Sequence, residues 1–198
     1  MNIDILGNTE NPSVIVIGVF HGDEPQGNYL LRDYYNENEQ TNLLIVPCLN
    51  PSGFAKNKRT NFNGVDLNRN FPAKNWILSN KDDYYGGEEP ASEEETKFII
   101  SVIEKYSPKA ILTLHAPYKV VNYDGGKDGS AKKLAEDISN IIGYPIEENI
   151  GYPTPGSFGT WAGVERDIPT ITLELDEEKN TDELKSPVFD ILKMLEKY

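Results

Sequence analysis

The stretch Val14–Phe20 reads VIVIGVF and runs straight into His21-Gly22-Asp23-Glu24. An uncharged run this short, rich in β-branched residues, suits a strand covered on both faces, the condition of a central strand in a parallel sheet. A His and a Glu three residues apart at the end of such a strand can turn onto one point. That point falls where open α/β sheets place their ligand sites, beyond the strand ends.

The remaining elements follow the same logic. Ile3–Leu6 reads as a short strand. A helix is predicted over Glu24–Asn36, with Pro25 in its first turn and Leu30, Leu31 and Tyr34 inward. Leu43–Leu49 is the next strand, closed by Asn50-Pro51-Ser52-Gly53. The segment Phe54–Pro90 is irregular, and Phe62, Phe71, Trp76 and Tyr84 predict an ordered, packed loop there. Ser92 and Glu95 have the spacing of a capping box ahead of Phe98, Ile99, Val102 and Ile103. Strand Ala110–Leu114 ends at His115. A helix over Ser130–Ile142, a Gly/Pro-rich loop at Gly151–Gly159, a short helix near Thr160–Glu165, strand Thr170–Leu175 and a helix over Pro187–Lys197 complete the chain. Alternating strands and helices predict one α/β domain over residues 1–198. Its sheet is expected to be mixed, largely parallel and twisted, with helices on both faces.

Charge and composition exclude several classes. The net charge of −13 argues against nucleic-acid and anionic-membrane partners, since phosphate surfaces need clustered Lys and Arg. An acidic protein can still take an anionic substrate when a few arginines focus positive potential in a cleft. The N-terminus has no basic segment and its apolar run is too short to cross a bilayer, so a cytoplasmic location is expected. Cys48 is the only cysteine, which rules out an internal disulfide and suggests core packing.

His21 and His115 are the only histidines, and both follow buried-looking strands. Catalytic zinc takes three nitrogen or oxygen ligands and keeps a fourth position open. His21, Glu24 and His115 supply such a set, with Asp23 an alternative ligand should Glu24 point away. Either histidine taken singly reads as a hydrogen-bonded turn residue; together they point to a metal.

The sequence carries HGDE (His21–Glu24), NGVDLNRNFP (Asn63–Pro72), LTLHAP (Leu112–Pro117) and TLEL (Thr172–Leu175) in that order. This succession resembles the M14 zinc carboxypeptidases. Within them, RTNFNGVDLNRNFPAKNW (Arg59–Trp76) and GYPTPGSFGTW (Gly151–Trp161) look like murein tripeptide amidases, which cut the γ-D-glutamyl–diaminopimelate bond of short cell-wall peptides. The resemblance implies one zinc per chain on His21, Glu24 and His115, with Glu174 as the carboxylate that moves protons. It implies that Arg59 stabilises the oxyanion, that Asn68 and Arg69 hold the substrate carboxylate, and that Tyr152 closes over the bound peptide. Asp66 corresponds to the residue behind the first histidine; its own sequence context equally suggests a cap for the following turn. Digestive members of the family carry arginine where this chain has Asp23, which favours an amidase over a general carboxypeptidase. Small-molecule N-acyl amino acid deacylases of the aspartoacylase or succinylglutamate desuccinylase type share part of the pattern and remain the alternative.

Overall fold

The computed structural model describes residues 2–147 and 153–198. Among these, the strands form one seven-stranded sheet: β1 (Leu6–Gly7), β2 (Val14–Gly18), β3 (Leu44–Val46), β4 (Ala110–His115), β5 (Val120–Asp124), β6 (Ile146–Glu147) and β7 (Thr170–Glu174). Their order is β1-β3-β2-β4-β7-β5-β6. The neighbours β3-β2, β2-β4, β4-β7 and β5-β6 are parallel, while β1-β3 and β5-β7 are antiparallel. The sheet is thus mixed and largely parallel, as its apolar strands predict.

Every residue of β2 is buried, and the pleat divides them between two cores. Val14 and Val16 face α1 (Gln26–Glu37), α4 (Ser130–Ile142) and α5 (Thr181–Leu195). Ile15 and Ile17 face α3 (Glu94–Tyr106), Phe71, Phe158 and Trp161. Helices therefore cover both faces. In α1 the inward residues are Leu30, Leu31 and Tyr34, and the Tyr34 ring meets Phe189 of α5 edge-on at 5.1 Å.

Several elements depart from the sequence expectations. A short helix, α2 (Pro51–Lys56), stands where only a turn was expected, because Asn50 accepts the Gly53 N–H and Pro51 pre-sets the first turn. Strand β5 was missed because VVNYD is only partly apolar. The last helix starts at Thr181, not Pro187. Its capping box is Asn180 with Glu183, and Pro187 lies within it. Ser92 and Glu95 form no such box. Helix α3 begins after Glu93, and Ser92 Oγ donates to Glu93 Oε1 and accepts from Asn70 Nδ2 instead. Of the loop aromatics, Phe71 is fully buried, whereas Phe62 and Tyr84 are exposed. The Phe62 ring lies under Lys56 Nζ at 4.6 Å. Cys48 is buried and free, and burial pushes its thiol up to about 11, the behaviour of a packing residue.

The sheet's order fixes where chemistry can occur. From β2 the chain goes through α1 to β3 on one side, then returns to lay β4 on the other. The crevice between the ends of β2 and β4 is a topological switch point, the position that binds ligands in open α/β sheets. His21 and His115 lie there.

Candidate active site

Val19 adopts φ 53° directly before the turn that carries His21, an unusual conformation for a β-branched residue. Neighbouring backbone holds it: Leu49 and Asn50 donate their N–H groups to the carbonyls of Gly18 and Val19. Gly22 then passes so close to α2 that a Cβ there would lie 2.0 Å from the Gly53 carbonyl carbon. Only glycine fits this turn, which folds the His21 and Glu24 side chains toward each other. Pro25 sits at the cap of α1, so Glu24 is free of helical geometry.

His21 Nδ1 faces Glu24 Oε1 at 2.7 Å, and His115 Nδ1 faces Glu24 Oε2 at 3.1 Å. One ligand atom from each of His21, Glu24 and His115 lies within 4.8 Å of the others. The His115 ring stacks on Phe20 at 5.2 Å, and the Ala116 N–H donates to Glu24 Oε2. On its far side, His21 Nε2 meets Asp66 Oδ1 at 3.1 Å, which leaves Nδ1 as the nitrogen turned into the cluster.

The electrostatics suit a cation. Burial works against a charged His21, but Glu24 and Asp66 outweigh it and raise its pKa to about 9. Burial likewise disfavours the Glu24 carboxylate, yet His21 and His115 hold it well below the ordinary range. Two imidazoles and one carboxylate, converging in a buried pocket whose carboxylates favour positive charge, fit a zinc ion in both donor type and number.

Asp66 makes both contacts expected of it, the one the resemblance implies and the cap its sequence context suggests. Its Oδ1 accepts the Asn68 N–H, capping the turn Leu67–Arg69, and also faces His21. Its Oδ2 accepts from Arg59 Nε at 3.0 Å and Nη2 at 2.8 Å. This grip points Arg59 Nη1 into the cleft, 3.4 Å from His21 Nδ1 and 3.8 Å from Glu24 Oε1. Asn68 Oδ1 accepts the Phe158 N–H, so the Asn68 amide nitrogen is free to donate; no described residue accepts from it. Arg69 is buried, and its Nη1 donates to its neighbour's carbonyl, Asn68 O. No described carboxylate lies within ion-pair distance of Arg69, so the alternative of an internal salt bridge does not hold among these residues.

Glu174 ends β7 directly opposite His115 in the parallel register with β4. It is 6% exposed, and its Oε2 is buried without a hydrogen-bond partner. Burial pushes its pKa above the ordinary carboxylate value, with His115 opposing and Glu24 adding to the effect. Asp23, Asn68, Arg69, Tyr84, Tyr118 and Glu177 also line this cleft, whose volume is about 210 Å³. Tyr84 and Tyr118 belong to no motif, and sequence reasoning gave them no part in the site. Tyr152 lies outside the described residues.

A buried, unpartnered carboxylate beside a His–Glu–His cluster, with arginines across the cleft, is what metal-assisted hydrolysis requires. Fold and site together define a metallohydrolase. The chain belongs to the zinc carboxypeptidase family M14, which it matches over residues 4–196. It is 33% identical over 142 residues to murein peptide amidase A of Escherichia coli (strain K12), covering 66% of this chain and 56% of that protein. It is 27% identical over 177 residues to gamma-D-glutamyl-L-diamino acid endopeptidase 1 of Lysinibacillus sphaericus, covering 71% of this chain and 44% of the relative. The crystal structure of murein-tripeptide amidase MpaA from Escherichia coli O157 superimposes with a TM-score of 0.81 at 27% identity, over 96% of this chain and 83% of that one. The chain thus spans a little over half the length of the first of these relatives. Among the described residues, no helix is long and apolar enough to cross a membrane.

Proposed function

We propose that the protein hydrolyses the amide between a γ-D-glutamyl group and a diamino acid in short murein peptides, with residues 1–198 acting as one catalytic domain. One relative named above is by name a murein peptide amidase and the other a gamma-D-glutamyl-L-diamino acid endopeptidase, and in this chain His21, Glu24, Asn68, Arg69, His115 and Glu174 line one cleft. The observation that carries the hydrolase chemistry is Glu174 Oε2, buried without a partner beside His115. Isolating a carboxylate in this way is costly unless a substrate or a proton is to be handled there.

His21, Glu24 and His115 would hold one zinc ion. When bound, the metal lowers the pKa of water and polarises the scissile carbonyl. Glu174 Oε2 takes the proton from the attacking water, then delivers it to the departing amine. Its raised pKa suits both tasks, because the carboxyl must hold the proton between them. Arg59 Nη1 donates to the carbonyl oxygen as negative charge builds on it. Asp66 fixes the other edge of that guanidinium, so little reorganisation is needed. Arg69 and the Asn68 amide nitrogen receive the carboxylate of the diamino acid, for which the planar arginine fork is well shaped.

The test is mass-spectrometric analysis of L-alanyl-γ-D-glutamyl-meso-diaminopimelate after incubation with the zinc-loaded protein, with and without chelator. Release of the free diamino acid only without chelator supports the reading. An intact tripeptide, together with cleavage of N-acyl amino acids, would replace it with the deacylase alternative. The expected cellular site of this reaction is the cytoplasm, where fractionation of the native protein would detect it.

A further inference from the structure

Asn50 follows the buried run Leu43–Leu49, and its side chain is completely buried between the end of β2 and α2. Its backbone N–H donates to the Val19 carbonyl at 3.0 Å. Its Oδ1 accepts the Gly53 N–H at 2.9 Å and the Ser52 hydroxyl at 3.3 Å, which caps α2. The amide nitrogen has different partners. Nδ2 donates to the Phe20 carbonyl at 3.1 Å and to the Arg59 carbonyl at 3.2 Å. These are all four hydrogen bonds a carboxamide can make. The Gly53 N–H can only donate and the two carbonyls can only accept, so the amide has a single workable orientation.

The two carbonyls belong to residues that frame the site. Phe20 immediately precedes His21, and Arg59 carries the guanidinium whose Nη1 faces His21 and Glu24. The Arg59 carbonyl also accepts the Gly22 N–H at 3.3 Å, from the residue that follows His21. His21 and Arg59 are thus tied twice, through their side chains by Asp66 and through neighbouring backbone by Asn50. Gly53 leaves the room this requires, because a Cβ there would lie 2.5 Å from Asn50 Nδ2. Serine or aspartate would cap α2 about as well as asparagine does. Neither can donate two hydrogen bonds while accepting two, so the bonds from Nδ2 are what call for an amide.

We propose that Asn50 is a positioning residue for hydrolysis: by bonding the Phe20 and Arg59 carbonyls to one amide nitrogen, it fixes the spacing between a metal ligand and the arginine that faces it. Asn50 does not line the cleft, so it acts through His21 and Arg59. A misplacement of about 1 Å at such a pair can cost on the order of 100-fold in rate. The part of Arg59 in the reaction rests on the function proposed above, whereas the junction built by Asn50 does not.

Two variants of the zinc-loaded protein separate positioning from capping. Asn50→Ser keeps an acceptor for the Gly53 N–H and loses the amide donors, and Asn50→Ala loses both. On L-alanyl-γ-D-glutamyl-meso-diaminopimelate, kcat should fall about 10–100-fold in each, with KM within about threefold because Asn68 and Arg69 still hold the carboxylate. Zinc affinity, read by competition with an indicator, should weaken about tenfold in each. Only Asn50→Ala should also lose the melting temperature that the cap supplies. A further measurement needs no variant. In the wild type, the Asn50 side-chain amide protons should exchange with solvent about 100-fold more slowly than those of the exposed Asn11.

Wild-type kcat in Asn50→Ser, with the damage confined to Asn50→Ala, would make Asn50 a cap and overturn the proposal. Unchanged zinc affinity in Asn50→Ser would overturn it too, as would Asn50 amide protons that exchange as fast as those of Asn11. A wild type inactive on the tripeptide would sink the murein reading alone, since zinc affinity and amide exchange still judge Asn50.

Discussion

His115 and Glu174 occupy paired positions at the ends of β4 and β7. Parallel pairing sends both side chains to the same face at the same level, so no loop intervenes between the imidazole of the metal cluster and the unpartnered carboxylate. The separation on which the proposed proton transfer would depend is thereby set by the sheet.

Glu174→Gln should retain zinc, as measured by elemental analysis, while kcat falls by about 10²–10⁴-fold, the usual share of a general acid–base group. Near-normal turnover in this variant would remove Glu174 from proton transfer.

Arg69→Ala should raise KM by roughly 10–100-fold with a smaller effect on kcat, because it removes a charged contact made in both ground and transition states. The check is to compare the normal substrate with one whose terminal carboxylate is amidated. The variant should discriminate between them far less than wild type does.

Asp66→Asn should weaken zinc binding by about 10–100-fold, since His21 Nε2 loses its carboxylate partner and Arg59 its anchor. Competition against a zinc indicator reads this directly. Unchanged affinity would mean that the turn alone holds His21 in place.

Chelation should abolish hydrolysis and lower the melting temperature by on the order of 10 °C, with both restored by zinc. The physical reason is that folded protein binds the ion and unfolded chain does not. A melting curve indifferent to chelator would argue against a metal at the His21–Glu24–His115 cluster.

Alkaline pH should expose a tie far from the site. The Tyr34 hydroxyl donates to Glu196 Oε1 at 2.8 Å, and burial first, then this carboxylate, raises the Tyr34 pKa. A pKa raised on folding gives stability that is full below the unfolded value of about 10 and declines as pH rises beyond it. Melting temperatures between pH 9 and 11 should therefore fall more steeply for wild type than for Tyr34→Phe, and parallel slopes would exclude the linkage.

How much of this was legible in the sequence depended on whether the signal was local. The strands β2, β4 and β7 announce themselves because two-faced burial leaves uncharged, largely apolar or β-branched runs, and the ionisable groups at their ends then stand out as His21, His115 and Glu174. Strand β5 gave no such signal, since VVNYD lies near the sheet's edge and is only half-buried. The two capping-box spacings show the same limit. Asn180-Thr181-Asp182-Glu183 forms its box at an exposed helix start. Ser92 instead pairs with its neighbour Glu93 and with Asn70, a partner distant in sequence that local spacing does not reveal.

The amino-acid order thus determined which residues end up at strand termini, and with them the metal cluster and its neighbouring carboxylate, because hydrophobic periodicity is written in consecutive positions. Only the tertiary structure decided that Asp66 would hold His21 and Arg59 at once, and that Asn50 would bond the Phe20 and Arg59 carbonyls behind them. Those relationships join segments through a loop with no regular period, so their geometry exists only after the sheet has folded and brought that loop beside the end of β2.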